Sequence, residues 1–154
     1  RGKVTGAYVN SALIKTEAML NGFDEAIVLN ADGHISEGSA ENFFMVRGGK
    51  LITPPVTANI LEGITRQAIM DLARVELGLE TVERQIDRSE VYIADEAFFC
   101  GTGVEVTPIG SVDHIPLGNG GVGPITRQIS DLYFKIVRGN EPKYLDWLTP
   151  VYGK

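Results

Sequence analysis

One segment, residues 34–44, places two carboxylates around a run of small residues just after an apolar position. Ile35 is followed by Ser36 and Glu37, and Gly38-Ser39-Ala40 separates Glu37 from Glu41. Small residues let a backbone turn tightly and let another group approach it closely. Two interpretations stay open at this point: a β-turn with two solvated glutamates, or a Glu37 side chain aimed at a ligand from the end of a strand.

The pattern around this segment predicts an α+β domain. Helices are expected at residues 9–21, 63–77 and 124–137, from apolar residues spaced three and four apart. Short strands are expected at residues 26–29, 42–47, 50–52, 80–86, 97–100 and 105–109. Turns such as Gly48-Gly49 join neighbouring strands into hairpins. We therefore expect one domain over residues 1–154, a hairpin-rich, mixed, barrel-like sheet with about three packed helices.

Composition excludes several functional classes. The net charge of −6 argues against nucleic-acid binding, which needs a basic face. The sequence has no apolar run of about 18 residues, so no membrane association is expected. Cys100 is the only cysteine, which excludes an internal disulfide framework, favours a cytoplasmic location and suits a small core side chain. With two histidines and one cysteine, no metal site is expected.

Two similar segments open the second and third predicted helices: Gly63-Ile64-Thr65-Arg66-Gln67 and Pro124-Ile125-Thr126-Arg127-Gln128. A helix N-terminus presents free N–H groups that suit a phosphate, although ordinary capping by threonine is the alternative for both. Gly63 would let an anion reach the backbone, whereas Pro124 has no N–H, so the first copy is the better phosphate candidate. The Gly-rich run at residues 118–123 resembles a dinucleotide fingerprint but lacks the parallel strand that should follow its helix.

Three further features, one turn and two single residues, have both a structural and a chemical interpretation. Gly101-Thr102-Gly103 is either a tight turn or a set of exposed N–H donors for an anion. Lys3 is either a solvated terminal lysine or an amine that forms a Schiff base. Tyr8 is either a packing residue or a hydroxyl near the site. A lysine, a carboxylate and phosphate donors together are the groups that a phosphorylated pyridine aldehyde requires.

The order and spacing of these pieces resemble the fold-type IV pyridoxal 5′-phosphate (PLP) enzymes, also called class-IV aminotransferases. Branched-chain amino-acid aminotransferases are the most similar members, and the resemblance covers essentially the whole chain as their large, C-terminal domain. The matching motifs are Lys3-Val4-Thr5-Gly6-Ala7-Tyr8, Ile35-Ser36-Glu37-Gly38-Ser39-Ala40-Glu41-Asn42-Phe43, Leu51-Ile52-Thr53-Pro54-Pro55, Leu61-Glu62-Gly63-Ile64-Thr65-Arg66, Ala94-Asp95-Glu96-Ala97-Phe98, Gly101-Thr102-Gly103-Val104-Glu105-Val106-Thr107-Pro108 and Gly123-Pro124-Ile125-Thr126.

The resemblance implies a role for each candidate residue around the cofactor ring. Lys3 would form the Schiff base with PLP and later move a proton between the substrate α-carbon and the cofactor. Glu37 would pair with the pyridine nitrogen and keep it protonated. Tyr8 would lie near the phenolate oxygen of the cofactor.

The resemblance also implies the residues that bind the phosphate and the substrate. The start of the helix at Gly63, with Ile64 and Thr65, would bind the phosphate together with Thr102. The turn formed by Thr102, Gly103 and Val104 would offer N–H groups to the substrate carboxylate.

The implied activity is transfer of the amino group of branched-chain L-amino acids to 2-oxoglutarate, in a homodimer or an assembly of dimers. Three alternatives remain: a D-amino-acid aminotransferase, a PLP lyase of the aminodeoxychorismate type, and a catalytically incomplete fragment. Ala7 stands where the family commonly has asparagine, and Gly103 and Val104 stand where it commonly has two alanines. The small N-terminal domain of the family is expected to be absent from this chain.

Overall fold

The structure is a computed structural model that describes residues 2–152. Its helices, in chain order, are α1 (Tyr8–Leu20), α2 (Ile64–Glu76), α3 (Arg88–Val91) and α4 (Pro124–Val137). Three 3₁₀ segments lie at Thr5–Ala7, Val56–Ala58 and Pro142–Trp147. The three long helices are the ones that the apolar spacing predicts.

In residues 2–152, seven strands form a five-stranded sheet and a small separate ribbon. They are β1 (Asn42–Arg47), β2 (Lys50–Thr53), β3 (Thr81–Glu83), β4 (Glu96–Gly101), β5 (Glu105–Pro108), β6 (Ser111–Val112) and β7 (Ile115–Pro116). The order in the large sheet is β3-β2-β1-β4-β5, with β3 parallel to β2 and the other neighbours antiparallel. The sheet is therefore mixed, which confirms the predicted α+β class.

The β1–β4 pair lies at the centre of the sheet and is buried on both faces. Phe44 and Phe98 stack at 5.1 Å between ring centroids on the face covered by α2 and α4. Phe43 and Phe99 meet edge to face at 6.1 Å on the opposite face. Because successive side chains of a strand point to opposite faces, this one pair of strands anchors two hydrophobic clusters.

Cys100, at the end of the same pair, is fully buried. Burial raises the pKa of its thiol to about 12, so the side chain is uncharged and packs as an apolar group. This agrees with the core position that the sequence suggests.

Two predicted strands are shorter in the structure. Residues 26–29 make only an isolated bridge, between Leu29 and Ile35, although Val28 also exchanges backbone hydrogen bonds with Ser36 and Glu37. The predicted strand 80–86 is reduced to β3, which reaches the sheet through the parallel crossover β2-α2-β3. β3 is an edge strand of the sheet, and residues 26–29 lie outside it, so few ladder hydrogen bonds fix either segment.

Helix α1 buries little of its surface in this chain. Its apolar residues Val9, Leu13 and Leu20 are 64%, 66% and 82% exposed, and Ala18 is its one buried residue. The apolar face of α1 is therefore without a partner among the residues that the structure describes.

No helix in residues 2–152 is long and apolar enough to cross a membrane. Within the same range, no three His, Cys, Asp or Glu side chains are grouped so as to hold a metal ion.

The N-terminus of α4 is closed by a buried carboxylate. Glu96, the first residue of β4, accepts hydrogen bonds from Ile125 N at 3.0 Å, from Thr126 N at 2.7 Å and from Thr126 Oγ1 at 2.7 Å. Gly123 makes room for it, since a Cβ there would lie 2.0 Å from Glu96 Cδ. The carboxylate satisfies donors that a helix leaves free at its N-terminus and complements the helix dipole.

We predict that Glu96→Ala lowers the free energy of unfolding by about 1–3 kcal/mol, because it leaves buried donors without an acceptor. Asp131→Ala, an exposed position on the same helix, is the matched control and should change stability little. Urea unfolding of both variants checks this. Equal losses for the two would show that the Glu96 contact does not stabilise α4.

Candidate functional site

Glu37 lies in a segment whose backbone is fixed on both sides. Its carbonyl accepts a hydrogen bond from Val28 N at 2.8 Å, and Gly38 N donates to the Glu41 carbonyl at 2.7 Å. The Ser36 hydroxyl, which is buried, donates to the Ala58 carbonyl at 2.8 Å. These contacts set the direction of the Glu37 side chain, so it does not belong to a loose solvated turn.

Both hydrogen bonds to the Glu37 carboxylate use the same oxygen. Oε2 accepts from Asn42 Nδ2 at 2.9 Å and from the Leu61 amide at 3.0 Å. Among the described residues, none donates to Oε1. One oxygen therefore holds the side chain in place, and the other is available for a ligand.

Burial raises the pKa of Glu37 above its usual range, and the nearby charge of Glu41 raises it further. The Leu61 amide and the positive charge of Lys3 act in the opposite direction, but they do not outweigh burial. A cation placed against Oε1 would relieve this cost, because an opposite charge favours the ionised carboxylate.

A cavity of about 530 Å³ opens beside Glu37. Tyr8, half-buried at the start of α1, lines the cavity together with Gly2, Ser36, Glu37 and Leu61. Lys3 is exposed and lies just before the 3₁₀ turn that leads into α1, close enough to Glu37 for its charge to act on that carboxylate. The structure therefore brings the segment that carries Lys3 and Tyr8 next to Glu37, which is about 30 positions further along the chain.

The predicted phosphate site lies at the N-terminus of α2. Ile64 is 82% exposed, whereas Thr65 is buried. In the described part of the chain, no group accepts a hydrogen bond from the amides of Ile64 and Thr65. The corresponding amides of α4 donate to the Glu96 carboxylate. The N-terminus of α4 therefore already has an anionic partner, whereas the N-terminus of α2 has none among the described residues.

Gly63 connects this helix start with Glu37. A Cβ on Gly63 would lie 2.2 Å from Asn42 Oδ1, and the same Asn42 side chain donates to Glu37. The glycine is thus required by a neighbouring side chain. The absence of a Cβ also keeps the backbone accessible, as the sequence analysis suggests.

The turn at Thr102, Gly103 and Val104 joins β4 to β5 and does not line the cavity beside Glu37. Thr102 and Gly103 are exposed, and Thr107 Oγ1 donates to the Val104 carbonyl at 2.7 Å, which fixes the shape of the turn. The turn comes just after Cys100, which pairs with Asn42 in the β1–β4 register. It therefore lies near the same end of the sheet as Glu37.

Sequence reasoning assigned no role to Asn42 or Leu61, although both fall inside the motifs that carry the family resemblance. Asn42 was interpreted only as the first residue of a strand. A buried asparagine at the start of a strand could indicate such a role, because its side-chain amide needs hydrogen-bond partners there. The hydrogen bond from the Leu61 amide to Glu37 joins residues 24 positions apart along the chain, so no local sequence pattern indicates it.

We predict that the cofactor-free protein loses stability through Glu37 as the pH rises. The folded state holds the Glu37 proton more tightly than the unfolded chain does. Its contribution is therefore complete below the ordinary pKa of a glutamate and is lost as the pH rises through the raised, folded-state pKa. Glu37→Gln keeps an oxygen for both hydrogen bonds and removes the titration.

Urea unfolding at a series of values from about pH 4 to about pH 8 checks this. The Glu37→Gln variant should gain stability relative to the unmodified protein as the pH rises, whereas Glu62→Gln, at an exposed position, should follow the unmodified protein. A constant difference between Glu37→Gln and the unmodified protein would contradict the prediction.

Comparison with known proteins agrees with this geometry. Residues 1–112 match the amino-transferase class IV family. A probable branched-chain-amino-acid aminotransferase of Aquifex aeolicus (strain VF5) is 55% identical over 154 residues, which are 100% of this chain and 50% of that protein. The branched-chain-amino-acid aminotransferase of Pseudomonas aeruginosa is 48% identical over 151 residues, 98% of this chain and 48% of that protein.

A solved structure gives the same result for the fold. The branched-chain amino acid aminotransferase of Thermobaculum terrenum in its PLP form has a TM-score of 0.95 at 50% identity, over 98% of this chain and 49% of that one. This chain spans about half the length of the relatives that it matches. The resemblance drawn from the sequence is confirmed, and the chain belongs to the amino-transferase class IV family.

Proposed function

We propose that this chain is the cofactor-binding large domain of a PLP-dependent aminotransferase that moves the amino group of branched-chain L-amino acids to 2-oxoglutarate. One observation carries the proposal: Glu37 Oε1 and the first amides of α2 are both without partners among the described residues, and Asn42 connects them. A ligand with a protonated ring nitrogen and a phosphate matches this pair of groups. The names of the similar proteins support the choice of amino donor.

PLP, when bound, supplies an electron sink for the charge that develops at the substrate α-carbon. Glu37 would hold a proton at the ring nitrogen, since its carboxylate gains a cationic partner and loses the cost of burial. A protonated nitrogen makes the ring a better acceptor of that charge. Glu37 therefore acts electrostatically, through a carboxylate whose position is set before the ligand arrives.

Lys3 would bind the cofactor aldehyde and move a proton between the substrate α-carbon and the cofactor C4′ atom. Its exposure beside the cavity is consistent with an amine that must reach a ligand. Tyr8, on the cavity wall, would lie near the phenolate oxygen of the ring. The amides and hydroxyl at Ile64 and Thr65 would bind the phosphate with help from Thr102, and the turn at Gly103 and Val104 would bind the substrate carboxylate.

The proposed enzyme also needs a small N-terminal domain and a second copy of the protein. This chain spans about half the length of its relatives, so a small N-terminal domain would complete the substrate pocket. The apolar residues that α1 leaves exposed, Val9, Leu13 and Leu20, support a partner surface of this kind and a homodimer. A single, buried cysteine is consistent with a cytoplasmic location.

We predict that Lys3→Ala abolishes covalent attachment of PLP. In the protein at its full natural length, borohydride reduction of the cofactor-loaded sample should add a cofactor to Lys3, and peptide mass spectrometry should locate it there. The variant should lose this adduct and the corresponding absorbance. Lys15→Ala, which removes a lysine of α1 that is paired with Glu25, is the control and should keep both. An adduct that survives in Lys3→Ala would assign the role to another lysine.

An amino-donor panel tests the substrate class in the same full-length protein. Leucine, isoleucine and valine with 2-oxoglutarate should give the corresponding 2-oxo acids and glutamate. Activity with D-alanine instead would identify a D-amino-acid aminotransferase, and release of pyruvate from aminodeoxychorismate would identify a lyase. The same panel on the 154-residue chain alone tests the last alternative, because cofactor binding there without any of these activities would support a catalytically incomplete fragment.

A further inference from the structure

Asn42 uses both N–H groups of its side-chain amide within the candidate site. It is the first residue of β1 and is 5% exposed. Its amide nitrogen donates to Glu37 Oε2 at 2.9 Å and to the Leu61 carbonyl at 2.8 Å. A primary amide has two N–H groups, so both are used by these two acceptors.

Leu61 closes this arrangement from the other side. Its amide donates to Glu37 Oε2 at 3.0 Å, while its carbonyl accepts from Asn42. Glu37, Asn42 and Leu61 therefore form a closed cycle of three hydrogen bonds. A cycle in which each member contacts both others restrains the carboxylate more than a single bond would.

The oxygen of the Asn42 amide faces the start of α2. A Cβ on Gly63 would lie 2.2 Å from Asn42 Oδ1, well inside contact distance. The backbone dihedral φ of Gly63 is −69°, which any residue adopts, so the reason for glycine here is the space that Asn42 occupies. The side chain that orients Glu37 thus also limits the position of the helix that begins at Ile64.

Other side chains of similar shape cannot make these contacts. An aspartate would place a second carboxylate against Glu37 and an acceptor against the Leu61 carbonyl. A leucine would leave the Leu61 carbonyl with the Gly63 amide as its remaining donor and remove one of the two hydrogen bonds that hold Glu37. The two hydrogen bonds require a group with two donors at this length.

We propose that Asn42 is a positioning residue that couples the two ends of the cofactor site: it orients Glu37 toward the ring nitrogen and, through Gly63, sets the distance to the phosphate-binding start of α2. This inference rests on the proposed function, in which Glu37 serves the ring nitrogen. It adds that the proton on that nitrogen depends on a side chain that touches neither cofactor nor substrate.

The coupling has a consequence that separates it from a purely structural role. A buried asparagine that only stabilises the fold would affect unfolding and leave the state of the ring nitrogen unchanged. A coupling residue would change the protonation of that nitrogen in a protein that is still folded. A change at Gly63, which belongs to the phosphate end, would also reach the ring nitrogen.

The test uses the full-length protein loaded with PLP labelled with ¹⁵N in the pyridine ring. The ¹⁵N chemical shift reports directly whether the nitrogen carries a proton. It is measured against pH in the unmodified protein and in Asn42→Ala, Gly63→Ala, Glu37→Gln and Asn140→Ala. Asn140 is an exposed asparagine after α4 and is the matched control. Circular dichroism confirms that each variant is folded, and the rate of the half-reaction with leucine is recorded in parallel.

We expect Asn42→Ala to move the ¹⁵N shift toward the unprotonated value and to lower the pH at which the nitrogen loses its proton. The half-reaction should slow by about 10–100-fold, the range found when a supporting partner of a functional side chain is removed. Gly63→Ala should move the shift in the same direction, in addition to weakening PLP binding. Asn140→Ala should match the unmodified protein.

An unchanged ¹⁵N shift in folded Asn42→Ala would overturn the inference. If Asn42→Ala fails to fold, Gly63→Ala decides: weaker PLP binding with an unchanged ¹⁵N shift would overturn the coupling. Glu37→Gln separates this inference from the proposed function. If it changes the ring nitrogen but the other two variants do not, only the role of Asn42 is wrong; if it leaves the ring nitrogen unchanged, the assignment of Glu37 itself is wrong.

Discussion

The site depends on a half-buried carboxylate that is held by one of its two oxygens. Glu37 Oε2 receives hydrogen bonds from Asn42 and from the Leu61 amide, and burial raises the pKa of the group. A carboxylate in such a place is costly unless a cation joins it, because burial disfavours the charged form. The surrounding structure keeps this group in one direction, which under the proposed function would make it a preorganised partner for a protonated ring nitrogen.

The two similar helix starts show that the same local sequence can have different partners in the fold. At α4, Glu96 fills the N-terminus and ties the helix to β4. At α2, no described residue fills it, and Gly63 leaves the backbone accessible. The difference lies in what the rest of the fold brings to each helix end, so an internal repeat of sequence does not imply a repeat of function.

Local patterns were sufficient to predict the long helices and the central strands. The apolar spacing in α2 and α4 has the helical period, and the short apolar runs of β1 and β4 are typical of strands that are buried on both faces. The edge segments were less predictable, because residues 26–29 make only an isolated bridge and β3 keeps three residues. Edge strands are fixed by tertiary contacts rather than by local preference.

The site itself was partly predictable. Lys3, Glu37 and Thr65 could be singled out because each carries a chemical group in a suitable local setting. The proposed role of Asn42 could not be predicted in this way, because it depends on Leu61 and Gly63, which lie next to Asn42 only in the folded chain. The exposure of Val9 and Leu13 on α1 could not be predicted either, since helical spacing identifies an apolar face but not what covers it.

A crystal structure of the full-length protein with PLP bound tests the central claim most directly. The account predicts Glu37 Oε1 within hydrogen-bond distance of the pyridine nitrogen, with the phosphate on the amides of Ile64 and Thr65, and with Glu96 still closing the N-terminus of α4. A ring nitrogen that faces another group, or a phosphate bound at the start of α4, would contradict it.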